Sequence, residues 1–221
     1  MILESDLSPL ASDAKRPNPV AEILAEQLES RQVIAAIFST DEGTKNHSLA
    51  VAEQYCLLAG AWIKQYPNSK AELVDTGLGA LLHDIGKKAV PLEILRNSGP
   101  LLKIEWQVLK LHSNAGSHEL SDTLDFRPIA DTAKYHHEKW DGTGYPDGLK
   151  GEKIPPAARI LAVIDTWDAL IHDRAYRKAF SLPAALAIII QESGSHFDPL
   201  VVALFVANIK LFQKTDPSRI S

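Results

Sequence analysis

Residues 157–171 read AARILAVIDTWDALI and follow directly on Pro155-Pro156. A proline pair opens a helix well, because its fixed φ suits the first turn and the missing N–H has no intrahelical partner there. The stretch is apolar almost all round, the pattern of a helix buried on every side. Asp165 and Asp168 interrupt it, one helical turn apart. A buried carboxylate has to be compensated. For Asp165 a metal ion and a buried arginine are the two candidates. Asp168 reads as a cap or as a local partner of Arg174. This stretch therefore predicts a helical core with a chemical site inside it.

The same periodicity extends both ways. Ile23, Leu24, Leu28, Val33, Ile34 and Ile37 mark one face of a first helix, beginning at Val20. A break at Asp41-Glu42-Gly43 precedes a second helix, with Thr44 as its expected cap and His47, Val51, Tyr55, Leu58 and Trp62 along it. A third is expected over 71–84, a short turn at 91–95, and further helices over 104–120, 128–137, 182–192 and 199–212. No alternating strand pattern or internal repeat is present. The expected fold is all-α, one domain of seven to nine helices over residues 20–213, after a flexible segment at 1–19 and before a tail at 214–221. Residues 138–156 hold four glycines and three prolines, a long loop of the kind that carries function in compact domains.

Composition narrows the function. The chain has 221 residues, is 45% hydrophobic and carries a net charge of -5, which argues against binding a DNA or RNA polymer non-specifically. One cysteine, Cys56, excludes a disulfide framework and a cysteine zinc finger. The apolar runs at 184–190 and 200–207 fall short of the ~18 residues of a membrane span. The N-terminus, MILESDLSPL, lacks the order of a signal peptide, so a cytoplasmic protein is expected.

Eight histidines remain. The apolar run 78–82 ends in His83-Asp84, which reads as a capped helix end or as a pair of metal ligands. His136-His137 follow a helix, and His47 and His112 lie beside apolar neighbours, where a lone histidine is usually a hydrogen-bonded core residue. Taken together, five histidines with Asp84 and Asp165 at helix ends or on apolar faces are better explained by one shared metal site. Nitrogen and oxygen donors without sulfur suit iron, manganese, zinc or nickel. Seven donors exceed one tetrahedral zinc and suit two ions bridged by a carboxylate. Two ions suit phosphoester hydrolysis by a metal-bound hydroxide, with cations for the phosphoryl oxygens. Lys87, Arg174 and Arg177 are the candidate cations. Trp140, Trp167 and Tyr176 could stack on a purine, although aromatic residues near helices usually belong to the core. His118, His172 and His196 read as ordinary structural histidines.

Five stretches then fall into a known order: LLHDIGK at 81–87, LKLHSNAG at 109–116, HHEKWDGTGYPDGLKGEKIP at 136–155, ARILAVIDTWDAL at 158–170 and DRAYRKA at 173–179. With them the chain resembles the HD-GYP domain, a branch of the HD superfamily of metal phosphohydrolases. The resemblance implies an HD helical core with a C-terminal helical extension, and hydrolysis of cyclic di-GMP to pGpG or on to GMP. It implies His47, His83, Asp84, His112, His136, His137 and Asp165 as metal ligands, with Asp84 as the bridge and iron or manganese as the metal. It places Lys87 at the phosphate, Arg174 and Arg177 on substrate phosphates, and Gly116 and Tyr145 at the substrate. Some members use a glutamate four residues before the first histidine for a third metal. Gly43 stands there, with Glu42 beside it, so two ions are expected. Only a short lead-in and one helix precede His47, so control is expected from a partner, from expression or from substrate supply. A diguanylate cyclase, another regulatory protein or a second copy of the chain are the partners considered. A sensor that binds the dinucleotide with little turnover, and a hydrolase of another cyclic dinucleotide, are the alternative readings.

Overall fold

The computed structural model describes residues 18–28, 42–97, 99–124, 127–173 and 177–212. Among them the chain forms eleven α-helices: α1 (Pro19–Leu28), α2 (Glu42–Gln65), α3 (Lys70–Leu73), α4 (Gly77–Leu81), α5 (Leu92–Leu95), α6 (Lys103–Leu124), α7 (Arg127–Tyr135), α8 (Pro156–Ile171), α9 (Leu182–Gln191), α10 (Pro199–Ala207) and α11 (Ile209–Phe212). Short 3-10 turns stand at Pro67–Ser69, Ile85–Ala89 and Gly151–Lys153. No strand occurs among the described residues. The all-α expectation holds. The count exceeds nine because two expected helices are each broken in two.

The first break lies within the expected helix at 71–84. Thr76 Oγ1 donates to the Leu73 carbonyl at 2.7 Å and so accepts from the buried Tyr55 hydroxyl, also at 2.7 Å. That local bond competes with helix continuation. The second break is at Asn208, whose side chain donates to the Leu204 carbonyl. At the start of α2, Glu42 and Gly43 are already helical, so Thr44 sits inside the first turn instead of capping it. Val33, Ile34 and Ile37 lie outside the described residues, as do segments 1–17 and 213–221.

Helix α8 matches its expected limits and runs through the core, packing on α2, α7, α9 and α10. Ile160, Leu161, Val163, Ile164 and Trp167 are buried on it, against Tyr55 and Leu58 of α2 and Phe205 of α10. Each such side chain contributes about 1.5–3 kcal/mol through burial. Arg159 pairs with Asp198 at 2.6 Å, and Asp198 caps α10 through the Leu200 N–H. On the other side, α6 packs on α7 and on the 3-10 turn at Ile85–Ala89. Gly86 makes that approach possible. A Cβ there would stand 2.0 Å from the His112 carbonyl oxygen.

Candidate metal centre

Five elements aim chemistry at one point. His47 comes from the start of α2, His83 and Asp84 from the turn after α4, and His112 from the middle of α6. His136 and His137 stand just past the end of α7, and Asp165 lies midway along α8. Neighbouring imidazoles pack edge to face, with ring centroids 5.4 Å apart for His47 and His83, 5.1 Å for His83 and His136, and 5.0 Å for His112 and His137.

Three of these rings are oriented in the same way. Nδ1 of His83 faces the Ala80 carbonyl at 2.8 Å, Nδ1 of His112 faces Leu109 at 2.7 Å, and Nδ1 of His136 faces Ala133 at 2.7 Å. A carbonyl oxygen only accepts, so Nδ1 carries the proton and Nε2 keeps an unshared pair. All three Nε2 atoms are buried with no hydrogen-bond partner. A buried polar atom without a partner is costly, and a cation removes that cost.

The donor atoms form overlapping groups. Those of His47, His83 and Asp165 lie within 4.8 Å of one another, as do those of His112, His136 and His137. A third group, His83, Asp84 and His136, joins the two. The Asp84 carboxylate turns one oxygen to each side: Oδ2 is 3.3 Å from His83 Nε2 and 4.0 Å from His47 Nε2, and Oδ1 is 3.5 Å from His112 Nε2. Asp165 Oδ1 is 3.1 Å from His47 Nε2. Buried imidazoles and carboxylates without a thiolate are the donor set of a divalent cation.

The electrostatics agree. Burial opposes the Asp84 charge, but the Lys87 ammonium beside it holds its carboxyl well below the usual range. Burial also opposes ionisation of Asp165, and His47 and His83 outweigh it. Burial pushes His112, His136 and His137 down, the last to about 3, so these imidazoles are neutral at pH 7. His47 differs: burial lowers it, yet Asp165 and Asp168 raise it to about 9.

The remaining expectations divide. Lys87 Nζ donates to Asp84 Oδ2 and stands at the edge of the site. Tyr145 stacks on His137, with ring centroids 4.8 Å apart and an interplanar angle of 28°. Gly116 is buried, and a Cβ there would meet the Gly86 backbone at 3.2 Å. Arg177 donates to the Ala169, Leu170 and Lys178 carbonyls, so it covers the end of α8. Arg174 and Tyr176 lie outside the described residues. Trp167 is core against Phe205, and Trp140 sits half-buried under Arg159. His118 pairs with Asp122 on the surface, and His196 stacks on Phe197.

Two carboxylates have roles the sequence did not suggest. Asp168 accepts from His47 Nδ1 at 2.6 Å and from Gln54 Nε2 at 3.2 Å, with His172 Nδ1 at 3.1 Å. Its second position in DTWD is the only signal that could have marked it. Glu138 is buried and accepts from the Asp147 and Leu149 backbone N–H groups at 2.7 and 3.0 Å, which folds the loop back over the site. Gly144 lets that loop touch the chain, since a Cβ there would stand 2.3 Å from the Lys139 nitrogen.

Among the described residues no helix is long and apolar enough to cross a membrane. The chain is 40% identical, over 181 residues, to a cyclic di-GMP phosphodiesterase of Vibrio cholerae serotype O1, covering 76% of this chain and 37% of that protein. It is 38% identical to a 3'3'-cGAMP-specific phosphodiesterase of the same organism, covering 71% of this chain and 33% of the relative. The chain thus spans between a third and two fifths of these relatives. In fold it is similar to the HDG"Y"P protein Bd1817 from Bdellovibrio bacteriovorus, with a TM-score of 0.61 at 17% identity, over 93% of this chain and 69% of that one. The HD domain family profile matches residues 42–201, and the chain belongs to that family, as the HD-GYP resemblance implied.

Proposed function

We propose that the chain is a metal-dependent phosphodiesterase that hydrolyses cyclic di-GMP to pGpG, GMP or both. The observation that carries this reading is the pair of donor triads joined by the two oxygens of Asp84. His47, His83 and Asp165 would hold one divalent ion, His112, His136 and His137 a second, and Asp84 would bridge them. Iron and manganese suit a set of imidazoles and carboxylates without thiolate. Gly43 offers no side chain for a third ion. When bound, the ions supply a nucleophile from water at neutral pH and stabilise charge on the phosphoryl group.

The chain's own residues do the rest. The carbonyls of Ala80, Leu109 and Ala133 hold three imidazoles in one tautomer, ready as neutral ligands. Lys87 is placed to turn its ammonium from Asp84 toward a phosphoryl oxygen, as a preorganised cation should. Tyr145 forms the rim on which a nucleotide rests, and Arg174 is the cation we assign to a second phosphate. For Gly116 and Arg177 we assign packing roles, at the Gly86 crossing and the end of α8. The relatives that act on cyclic dinucleotides support the substrate class, and the one named for 3'3'-cGAMP keeps that dinucleotide as a second reading. A cytoplasmic setting, a diguanylate cyclase or other regulatory partner, and a homodimer belong to the same proposal.

The test uses protein purified without oxygen and loaded with Fe(II) or Mn(II). It is incubated with cyclic di-GMP or 3'3'-cGAMP, and nucleotides are separated by chromatography, with Asp84→Ala alongside. Appearance of pGpG or GMP from cyclic di-GMP with the intact protein alone supports the reading, and a mixed linear dinucleotide or AMP from 3'3'-cGAMP alone supports the second. Activity persisting in Asp84→Ala, or no product from either dinucleotide with bound metal confirmed, defeats it.

A further inference from the structure

His47 is oriented unlike its neighbours. His83, His112 and His136 each direct Nδ1 at a neutral carbonyl three residues back in their own segment. His47 instead directs Nδ1 at a carboxylate 121 residues away, Asp168 Oδ2, at 2.6 Å. Asp168 is buried and held from further sides, with Gln54 Nε2 at 3.2 Å and His172 Nδ1 at 3.1 Å from Oδ1. Gln54 is seven residues after His47, so one carboxylate on α8 fixes two positions on the same face of α2. A carboxylate behind an imidazole makes its far nitrogen a stronger donor than a carbonyl does, and loss of such a partner typically lowers metal affinity about 10–100-fold.

The charges at the two triads are also unequal. The His47–His83–Asp165 group contains a carboxylate and has Asp168 directly behind it. The His112–His136–His137 group contains three imidazoles. Both share Asp84. Affinity for a hard divalent cation rises with the charge of its ligands.

We propose that Asp168 is a positioning residue that acts through His47 to make the two metal positions unequal, so that the His47–His83–Asp165 position binds the more tightly and fills first. This rests on the two-ion reading above and says which of the two positions gives up its ion first.

The experiment titrates Mn(II) into the chelator-stripped full chain and follows free Mn(II) by electron paramagnetic resonance. The wild type is expected to bind two equivalents in separate steps. Asp168→Asn keeps an acceptor for His47 but deletes the charge. It should weaken the first step about 10–100-fold and move the second less than about threefold. Asp168→Glu, which restores the charge, should recover much of the loss. Equal weakening of both steps, or no change in either, overturns the proposal. A wild type that binds one equivalent or none overturns the two-ion reading and this inference with it. Hydrolysis is measured separately, so a lack of turnover counts against the functional reading alone. Where Asp168→Asn fails to give the wild-type circular dichroism spectrum, the wild type decides. One equivalent of Zn(II) added to chain labelled with 15N-histidine should shift the resonances of His47 and His83 before those of His112 and His137. The reverse order overturns the proposal.

Discussion

The walls of the site take their order from backbone, whereas its rim leans on a side chain. His83, His112 and His136 are fixed by carbonyls of their own segments, and those segments are held by core packing of α4, α6 and α7. The loop at 138–154 packs less apolar surface. It is kept in place by Glu138, by the Trp140 and Asp141 N–H groups donating to the His196 and Ser195 carbonyls, and by the Asp147 bonds to Lys134 and Tyr135. The walls therefore set which donors a metal would meet. Under the proposed function the rim would present Tyr145 to the substrate, and polar bonds rather than apolar packing hold that rim in place.

The sharpest separation comes from removing metal. Chelation should abolish turnover and, for ions held at ~1,000 times their dissociation constant, cost about 4 kcal/mol per site, or roughly 8–16 °C in melting temperature. Calorimetry with and without EDTA reads this. A melting temperature that does not move would mean the walls never held an ion. Next is Gly86→Ala, whose new Cβ would run into the His112 carbonyl and force α6 off the turn at Ile85–Ala89. Overpacking of backbone against backbone should cost about 3 kcal/mol, read by urea unfolding, and should lower metal content as well. Retained stability would show that the wall yields more readily than this packing implies. Glu138→Gln probes the rim. A carboxamide oxygen can replace only one of the two acceptors that serve Asp147 and Leu149, and the amide NH2, itself a donor, would face the other N–H. The expected result is a roughly tenfold fall in kcat/KM, mostly in KM, with metal content unchanged. Equal loss of bound metal would place Glu138 among the walls.

The two regions also differed in how far the sequence could be read. Asp84 and Asp165 were legible because a charge inside an apolar run needs a partner, and that demand is local. The limits of α8 were legible for the same kind of reason, from its prolines and apolar texture. The long-range role of Asp168 was not legible, because its partner His47 is 121 residues distant and no periodicity reports a contact of that range; Arg174, its expected local partner, lies outside the described residues. The role of Glu138 was not legible either, since its acceptors serve backbone N–H groups, which every residue but proline carries. The break in α3–α4 was hidden because Leu73, Val74, Leu78, Leu81 and Leu82 keep a helical spacing across Thr76, whose bond to Tyr55 exists only in the packed chain.

The smallest effect expected is a change in how stability depends on pH, and it tests the wall residue that stands apart. In the stripped chain, His137 titrates at about 3 against an ordinary 6.5, so between those values the unfolded chain holds a proton that the folded one lacks. Stability from His137 is lost as pH falls through that window. His47 runs the other way. With a folded value of about 9, its contribution is complete below 6.5 and is lost as pH rises toward 9. Asp168, lowered to about 2, loses its contribution only below 3.8. The stripped chain should thus be most stable near 6.5, with an acid flank from the buried imidazoles and an alkaline flank from His47. Saturating Mn(II) takes the place of the His47 proton, so the alkaline flank should flatten while the acid flank steepens as protons compete for the ligands. Melting curves from about pH 5 to about pH 10, with and without Mn(II), separate the flanks. An alkaline flank that is the same in both series would remove His47 from the ligand set, and with it the difference between the two metal positions.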